Sequence, residues 1–421
     1  MNKSCLLRKY IQSCIQTRNV GKYVTVKRPD PRTLKMPAPG STPSLMDIIK
    51  EKIRLNGPIT VAEYMHIVVT NPTEGYYMKK DAIGHAGDFI TSPEISQLFG
   101  EVLAIWFLAE TRKMSHGKPL NIVELGPGNG TLMLDILKVQ ILRFMCFHLV
   151  FKVISDTMRE AQARNLCISH RATDLDLPYN YEGETISGIK VRWYNDLKKV
   201  PNNFSWYIAH EFFDVLPIHK FEVKDGWREV LIDIDDAGKL RYRISGKETQ
   251  AVKTLIVPPL SLGERTGLEI SARSLGIARQ LGDRVDKYGG IALIADYGHE
   301  GEKEDTFRAF YKHQVVDPLE NPGECDLTAD VDFSQLRVSV AKTPTYENYA
   351  VVCGPVKQRD FLERMQGEIR LQVKLAYEML VDPNKMGDRF KFMAFYPSSV
   401  GSILEKFPPL GFSKPLKDPD Q

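Results

Sequence analysis

Short apolar runs alternate with stretches of helical periodicity through the middle of the chain. Five apolar runs predict buried strands at residues 120–125, 147–154, 191–194, 206–209 and 290–295. Stretches whose apolar positions recur at helical spacing predict helices at residues 131–142, 156–166 and 271–286. Strands that alternate with helices favour βαβ units, so this region predicts a Rossmann-like α/β fold with a parallel sheet covered on both faces.

Other patterns flank and interrupt this region. Upstream, three amphipathic stretches predict helices at residues 44–55, 61–70 and 97–113. Thr60 is the expected N-cap of the second helix, so the N-terminal region is helical. Residues 218–243 alternate between apolar and polar positions and predict an antiparallel insertion or extension. Near the end, residues 361–380 predict a helix and residues 390–395 a closing strand.

The composition is that of a globular protein that can bury a sizeable core. Of 421 residues, 43% are hydrophobic and 26% charged. No apolar run approaches the roughly 20 residues that a membrane-spanning helix needs. The formal net charge of +3 is unevenly spread, because residues 1–35 hold nine lysines and arginines against the single acid Asp30. The remainder is therefore mildly acidic, which gives no support to nucleic-acid binding through a general basic face.

The basic N-terminus has the pattern of a targeting segment. Apolar positions recur at helical spacing at Leu7, Ile11 and Ile15, and no acid occurs before Asp30. This pattern predicts a mitochondrial transit peptide and a location in the matrix, with a disordered basic tail as the alternative. Several prolines follow, so residues 1–43 are interpreted as transit peptide and linker.

The patterns divide the rest of the chain into three parts. Residues 44–118 form the helical N-terminal region, residues 119–300 a ligand-binding core with its insertion, and residues 301–421 a C-terminal extension that completes the domain. Six cysteines are scattered without a CxxC pair, which predicts reduced thiols and neither a zinc site nor a disulfide framework.

A glycine-rich turn follows the first predicted buried strand. The run Glu124-Leu125-Gly126-Pro127-Gly128-Asn129-Gly130 stands between a predicted strand and a predicted helix. Glycines permit turns and a close ligand approach that a Cβ atom would block, and the helix start offers free amides. A dinucleotide fingerprint would need its third glycine where this chain has Thr131, so an NAD-dependent oxidoreductase is disfavoured. A tight turn without a ligand is the plain alternative.

The acid followed by alternating glycines resembles motif I of class I methyltransferases. That resemblance implies a site for the cofactor S-adenosyl-L-methionine at Glu124, Gly126, Pro127, Gly128 and Gly130. A carboxylate after the second strand is expected to bind the ribose. Asp156 is the candidate, with a cap for the next helix as the alternative. After the third strand, Asp196 is the candidate for the adenine amine, with an ordinary loop residue as the alternative.

An acidic loop follows the fourth predicted strand. Ligands of doubly wound sheets bind beyond the carboxyl ends of the strands, so His210, Glu211 and Asp214 are expected beside the methyl donor. Two carboxylates match the planar, always charged guanidinium of arginine and would turn one nitrogen toward the methyl group. These three residues are therefore the candidate catalytic residues, and no metal site is predicted. The alternative is that both acids favour a helix N-terminus.

Several longer motifs resemble the MidA family. These are EGYY at 74–77, GDFITSP at 87–93, ELGPGNGTL at 124–132, HEFFDVLPIHKFE at 210–222, ADYGHEGEKEDTFRAF at 295–310 and DLTADVDF at 326–333. The resemblance implies a mitochondrial protein arginine methyltransferase that symmetrically dimethylates a core subunit of the complex I matrix arm during assembly. It also implies that segments 75–77 and 88–92 form a lid, and that Asp296 and Tyr297 lie near the acceptor.

Two alternatives to this interpretation stay open. One is a non-catalytic complex I assembly protein that retains the methyltransferase fold. Segment 139–155 favours it, because the family has a longer connection there and an acid at the end of the second strand. The other concerns the oligomeric state of this protein, since the sequence does not distinguish a monomer from a homo-oligomer.

Overall fold

The computed structural model describes residues 43–78, 91–114, 120–139, 147–152, 156–174, 176–257, 264–312, 314–341, 349–365 and 374–412. In chain order its helices are α1 (Leu45–Asn56), α2 (Val61–Thr70), α3 (Ser92–Ile95), α4 (Gln97–Thr111), α5 (Thr131–Leu137), α6 (Asp156–Leu166), α7 (Gln250–Leu255), α8 (Ala272–Tyr288), α9 (Phe333–Val340), α10 (Gln358–Arg364), α11 (Lys374–Val381) and α12 (Gly401–Lys406). Its strands are β1 (Ile59–Thr60), β2 (Leu120–Leu125), β3 (Phe147–Lys152), β4 (Ser169–Ala172), β5 (Tyr181–Glu184), β6 (Lys190–Tyr194), β7 (Ser205–His210), β8 (His219–Val223), β9 (Trp227–Ile234), β10 (Leu240–Ile244), β11 (Gly267–Ile270), β12 (Gly290–His299), β13 (Arg308–Tyr311), β14 (Gln314–Val316), β15 (Asp326–Thr328), β16 (Val331–Asp332), β17 (Ala350–Lys357) and β18 (Phe390–Pro397). The predicted transit peptide lies outside the described residues.

The first two helices begin where side chains cap them. Ser44 and Asp47 form a capping box at the start of α1, with the Asp47 amide 3.2 Å from the Ser44 hydroxyl. The Thr60 hydroxyl accepts the amide of Glu63 at 3.0 Å, which confirms the predicted N-cap of α2. Because one free amide of each first turn is satisfied by these side chains, both helices begin at the predicted places.

A mixed sheet forms the centre of the molecule, in the order β17-β18-β12-β7-β2-β3-β6-β5-β4. The five neighbours from β12 to β6 are parallel. Every residue of β2 and β7 is buried, because cores lie on both faces of the sheet. The predicted Rossmann-like α/β fold is therefore confirmed.

The chain reverses direction across this sheet between β2 and β7. It runs outward from β2 through β3 to β6, and then returns to the other side of β2 to form β7 and β12. Ligands of doubly wound sheets bind at such a switch point, beyond the carboxyl ends of the strands. The topology thus places the glycine-rich turn and the acidic loop at the same edge of the sheet.

The edges of the sheet were not apparent from hydrophobic pattern. The strand β4 is exposed along its length, so it carries no apolar alternation. The strand β17 contains Gly354 and Pro355 at a shift in its pairing with β18, which interrupts the alternation there. The strand β18 extends the predicted closing strand and pairs antiparallel with β12. Helix α5 ends at Leu137, five residues before the predicted end.

The predicted antiparallel extension is a separate sheet of five strands. Its order is β1-β9-β8-β11, and β10 also pairs with β9. All of its pairings are antiparallel. The strand β1 belongs to the N-terminal helical region, so this sheet joins that region to the extension.

A third sheet of three strands, β14-β13-β15, packs beside the N-terminal helices. Ala309 of β13 and Leu327 of β15 are at most 1% exposed and share a core with α1 and α2. Their strands are only four and three residues long, which makes them hard to recognise by periodicity. Among the described helices, none has the length and apolarity needed to cross a bilayer.

Candidate active site

A cavity of about 500 Å³ lies at the carboxyl ends of β2, β7 and β12. Seven of the ten candidate site residues line it: Glu124, Gly126, Pro127, Gly128, His210, Glu211 and Asp214. Tyr77, Asp326 and Arg308 also contribute to its wall, from segments distant in the chain. The structure thus brings the glycine-rich turn and the acidic loop together in one cavity.

The glycine-rich turn depends on left-handed backbone. Gly126, Gly128 and Gly130 have φ angles of +67°, +51° and +82°, which side chains rarely adopt. A Cβ atom on Gly126 would lie 2.8 Å from a ring carbon of Phe212. Gly130 lies behind the cavity wall as the N-cap of α5, where a Cβ atom would lie 3.1 Å from Leu166. At these three positions the turn therefore leaves its backbone without side chains.

Helix α6 holds this turn through side-chain amides. Gln162 donates to the carbonyl of Gly128 at 2.6 Å, and the indole of Trp193 donates to Gln162 at 2.9 Å. Asn165, one turn along α6, donates to the carbonyl of Asn129 at 3.0 Å. The sequence analysis missed both amides, whose spacing of three residues on one helix face was the available signal.

Glu124 has a buried carboxyl group that the described residues leave partly without hydrogen-bond partners. Its residue is 3% exposed, and its Oε2 has no hydrogen-bond partner among the described residues. Burial raises the pKa of this carboxyl to about 8. A cationic ligand in the cavity would supply the missing partner, and S-adenosyl-L-methionine has both a sulfonium and an ammonium group. The residues present therefore fit that cofactor.

The acidic loop is tied to the neighbouring strand by one carboxylate. Asp296 Oδ2 accepts the backbone amides of Phe212, Phe213 and Asp214 at 3.1, 2.9 and 3.4 Å. Glu211 has a φ of +47°, a strained conformation for a residue with a side chain. Its amide donates to the carbonyl of Ala295 at 3.0 Å, which helps to hold that strain. The loop geometry is thus set by β12.

The acceptor carboxyls are buried and resist ionisation. Burial raises the pKa of Glu211 well above its usual range, and the nearby charge of Asp214 raises it further. Burial also raises the pKa of Asp214 to about 7, although the cation of Arg308 opposes this shift. Glu211 Oε1 and Asp214 Oδ1 have no hydrogen-bond partner in the described part of the chain. Both oxygens are therefore ready to accept hydrogen bonds from a cationic ligand.

His210 is a neutral member of the same wall. Burial lowers the pKa of its imidazole to about 3, so the ring carries no charge at neutral pH. Its Nε2 lies 3.7 Å from Glu211 Oε1, and its ring lies parallel to that of Phe390 with 6.1 Å between centroids. His210 is thus a packed, uncharged neighbour of Glu211 and a poor proton acceptor.

The remaining candidates do not line the cavity. Asp156 is the first residue of α6, and its side chain is 78% exposed and 2.5 Å from the guanidinium of Arg159. The preceding residues 153–155, where the second strand was expected to end, lie outside the described residues. Asp196 caps a turn of 3-10 helix and accepts the amide of Lys198 at 3.0 Å. Neither acid lines this cavity, so the ribose and adenine contacts expected of them stay predictions.

A family model of S-adenosyl-L-methionine-dependent methyltransferases matches residues 102–349, more than half of the chain. The chain belongs to this methyltransferase family. Its cofactor is S-adenosyl-L-methionine, in agreement with the orphaned carboxylate of Glu124 and the bare turn beside it. The prediction of that cofactor from the glycine-rich turn is confirmed.

Curated relatives support the same assignment over most of the chain. The mitochondrial protein arginine methyltransferase NDUFAF7 homolog of Drosophila melanogaster is 45% identical, over 95% of this chain and 98% of its own length. The human mitochondrial protein arginine methyltransferase NDUFAF7 is 41% identical, over 86% of this chain and 85% of its own length. The resemblance to the MidA family is therefore confirmed.

A solved bacterial structure has the same fold. A protein of Burkholderia thailandensis, crystallised with S-adenosyl-homocysteine, aligns with a TM-score of 0.64 at 22% identity. The alignment covers 84% of this chain and 91% of the bacterial chain. The fold of this methyltransferase thus extends well beyond the region that the family model matches.

Proposed function

We propose that this methyltransferase transfers a methyl group to arginine side chains of a protein inside mitochondria. The observation that carries the proposal is the pair of acids Glu211 and Asp214, which share one cavity with the glycine-rich turn. Asp214 is 5% exposed, and the side chain of Glu211 is 13% exposed. Buried carboxylate oxygens without partners favour a planar, permanently charged guanidinium over a neutral acceptor. The names of the relatives agree with this substrate and with this compartment.

The donor side of the reaction is assigned to the turn after β2. S-adenosyl-L-methionine, when bound, supplies a methyl group on a positively charged sulfur. Gly126 and Gly128 leave backbone exposed to the cavity, and Glu124 offers a carboxylate for the positive charge. These residues bind and orient the donor at the carboxyl ends of the strands.

The acceptor side must position a nitrogen and remove a proton. A bond forms between the guanidinium nitrogen and the methyl carbon while the carbon–sulfur bond breaks, and S-adenosyl-homocysteine leaves with the electron pair. The methylated guanidinium keeps one positive charge only if a proton leaves the nitrogen. Glu211 and Asp214 bind the guanidinium and accept that proton, a role for which raised carboxyl pKa values are suited.

The proposed protein substrate is a core subunit of the complex I matrix arm, with symmetric dimethylation of one arginine in the mitochondrial matrix. This part of the proposal is supported by the resemblance to the MidA family. The wild-type chain should label a complex I subunit isolated from cells that lack this protein, with S-adenosyl-L-methionine carrying a heavy methyl group. Mass spectrometry of the product should show two methyl groups on separate nitrogens of one arginine. Label only on lysine, or on no subunit, would contradict the proposal.

One observation favours the alternative of a non-catalytic assembly protein. The expected ribose acid Asp156 is exposed and paired with Arg159 instead of lining the cavity. Titration calorimetry with S-adenosyl-L-methionine separates the alternatives. No binding at millimolar ligand would support a scaffold that has lost its cofactor, whereas saturable binding would support the enzyme.

A further inference from the structure

The small sheet of β13, β14 and β15 has two faces of different chemistry. Ala309 pairs with Leu327, and both face the core with α1 and α2. Successive residues of a strand face opposite sides, so the neighbouring positions face the other way. That second face lines the cavity through Arg308, Phe310, Val315, Asp326 and Thr328. The cavity is therefore bounded by a mixed face, on which Asp326 and Thr328 are buried and Val315 is exposed.

Two polar groups of β15 are especially well buried. Asp326 and Thr328 are each 4% exposed and lie two residues apart on the same face. The phenol of Tyr77 donates to both carboxylate oxygens of Asp326, at 3.1 and 3.3 Å. Thr328 Oγ1 has no hydrogen-bond partner among the described residues. A buried hydroxyl without a partner costs free energy, so its retention indicates a polar ligand in the cavity.

One carboxylate, that of Asp330, holds two cations of the cavity wall. Arg308 lies 2.6 Å and Lys303 2.5 Å from the two oxygens of Asp330. Asp326 and Glu211 line the same cavity. Burial is the main cause of the raised pKa of Glu211, and the nearby charges of Asp214 and Asp326 raise it further. A guanidinium in the cavity would therefore be attracted by both carboxyl groups.

The strand β15 is also fixed relative to the acidic loop. The amide of Ala329, directly after β15, donates to the carbonyl of Asp214 at 2.9 Å. The hydrogen bond from Tyr77 to Asp326 also joins the N-terminal region to β15. The acids of the loop and of the sheet thus form one rigid wall rather than two independent surfaces.

We propose that this face of the small sheet is a second acceptor-binding wall, specific for the guanidinium of arginine. Asp326, oriented by Tyr77, binds the guanidinium together with the acids of the loop. Thr328 supplies one further hydrogen bond, and Phe310 packs against the aliphatic part of the acceptor side chain. Val315, which is 68% exposed, contacts the residues of the substrate that flank the arginine. The inference rests on the proposed function and assigns the residues that distinguish arginine from other acceptors.

The test measures binding of acceptor probes to the full chain saturated with S-adenosyl-homocysteine. The probes are N-acetyl-arginine methylamide and its uncharged analogue N-acetyl-citrulline methylamide, which have nearly the same shape. The wild type should prefer the arginine probe, and Asp326→Asn should reduce that preference by about tenfold or more, as for a lost hydrogen bond to a charged group. Thr328→Val should weaken both probes by a similar, smaller factor. Asp135→Asn, a buried acid outside the cavity, is the control and should leave the preference unchanged.

The outcomes separate this inference from the proposed function. An Asp326→Asn variant that keeps the full preference for the arginine probe would contradict the proposed acceptor-binding wall, even if the wild type methylates arginine. A wild type that prefers the arginine probe but methylates no protein would instead contradict the proposed function. Affinity for S-adenosyl-homocysteine and the thermal unfolding temperature are measured for each variant. If Asp326→Asn does not fold, Tyr77→Phe replaces it and should also reduce the arginine preference.

Discussion

The two sides of the cavity are built in different ways. The donor side is one continuous segment, in which glycines with positive φ expose backbone between β2 and α5. The acceptor side is assembled from separate segments, and its side chains are buried carboxyls with raised pKa values. The donor side therefore depends mainly on backbone without side chains, and the acceptor side on carboxyl oxygens that have no hydrogen-bond partner among the described residues. The difference predicts that substitutions on the donor side lower the affinity for the donor, whereas substitutions on the acceptor side lower the methylation rate and leave donor affinity unchanged.

The largest effect is expected at Gly128 on the donor side. Gly128→Val should abolish binding of S-adenosyl-L-methionine, because a branched side chain would occupy the cavity wall. Its φ of +51° also makes a side chain unfavourable by roughly 1–2 kcal/mol. Calorimetry checks the affinity, and thermal unfolding checks that the chain still folds. Gly238→Val is the matched control, since Gly238 has a φ of +79° in an open turn. Normal donor affinity in Gly128→Val would contradict the donor side as described.

Glu211 should show the opposite signature. Glu211→Gln should retain donor affinity but lower kcat by about a hundredfold to ten-thousandfold, the range for a lost general base. The measurement is single-turnover methylation of the identified substrate. Glu229→Gln is the control, since Glu229 is a buried acid outside the cavity that contacts His219, and this variant should leave kcat near the wild-type value. An unchanged kcat in Glu211→Gln would remove this residue from the chemistry.

The pH dependence of Asp214 should link activity and stability with opposite signs. Its pKa is raised from 3.8 to about 7 in the folded chain. A group with a raised pKa in the folded state stabilises the fold below its unfolded pKa and loses that contribution as the pH rises through about 7. Methylation should therefore increase as the pH rises toward neutrality while the free energy of unfolding decreases. Asp214→Asn should remove this part of the pH dependence of unfolding, and an unaltered profile would argue against it.

A smaller effect is expected at Gln162, behind the donor turn. Gln162→Leu leaves the Gly128 carbonyl and the Trp193 indole without their partner. Donor affinity should fall by about tenfold, the equivalent of one neutral hydrogen bond. Asn165→Ala, which loses a single bond on an exposed position, should change the affinity less. Equal losses of donor affinity in the two variants would show that the turn does not depend on its hydrogen bond to the buried side chain of Gln162.

The smallest effect is expected at Asp156. Its side chain is largely exposed and forms one surface ion pair with Arg159, so Asp156→Asn should change donor affinity by less than about twofold. Calorimetry with S-adenosyl-L-methionine measures this directly. A large loss would instead support the ribose contact that the sequence predicts, and would require the end of β3 to bring this acid to the cofactor.

The comparison also explains which parts of the site the sequence could reveal. The donor turn is local, so an acid and three glycines between a strand and a helix predicted its place. The acidic loop was predicted because parallel strands end at one edge of the sheet. Asp326 was given no role and Tyr77 was expected only as part of a lid, because the two residues meet across 249 residues and the strand that carries Asp326 has only three. Periodicity has no signal for contacts of that kind.

The strands of the fold differ in how well the sequence predicted them. The buried strands β2 and β7 were predicted because both faces are covered, which produces continuous apolar runs. The exposed strand β4 and the irregular strand β17 were not predicted. All residues of β4 face solvent, and the pairing of β17 shifts between Cys353 and Val356, so neither strand shows a regular apolar pattern. Helix α5 was predicted too long because the apolar run continues past Leu137, where the helix ends.

The bonds from Asp296 to the acidic loop have a consequence for how this family can vary. One oxygen receives three successive amides, so the insertion or deletion of a residue between His210 and Asp214 would misalign all three. The partners are separated by more than eighty residues, which hold four of the five strands of the antiparallel sheet, β8 to β11. That intervening part can lengthen or shorten at little entropic cost, because loop closure depends weakly on length. The length of the acidic loop is therefore constrained, whereas the length of the segment between this loop and Asp296 is free to vary during evolution.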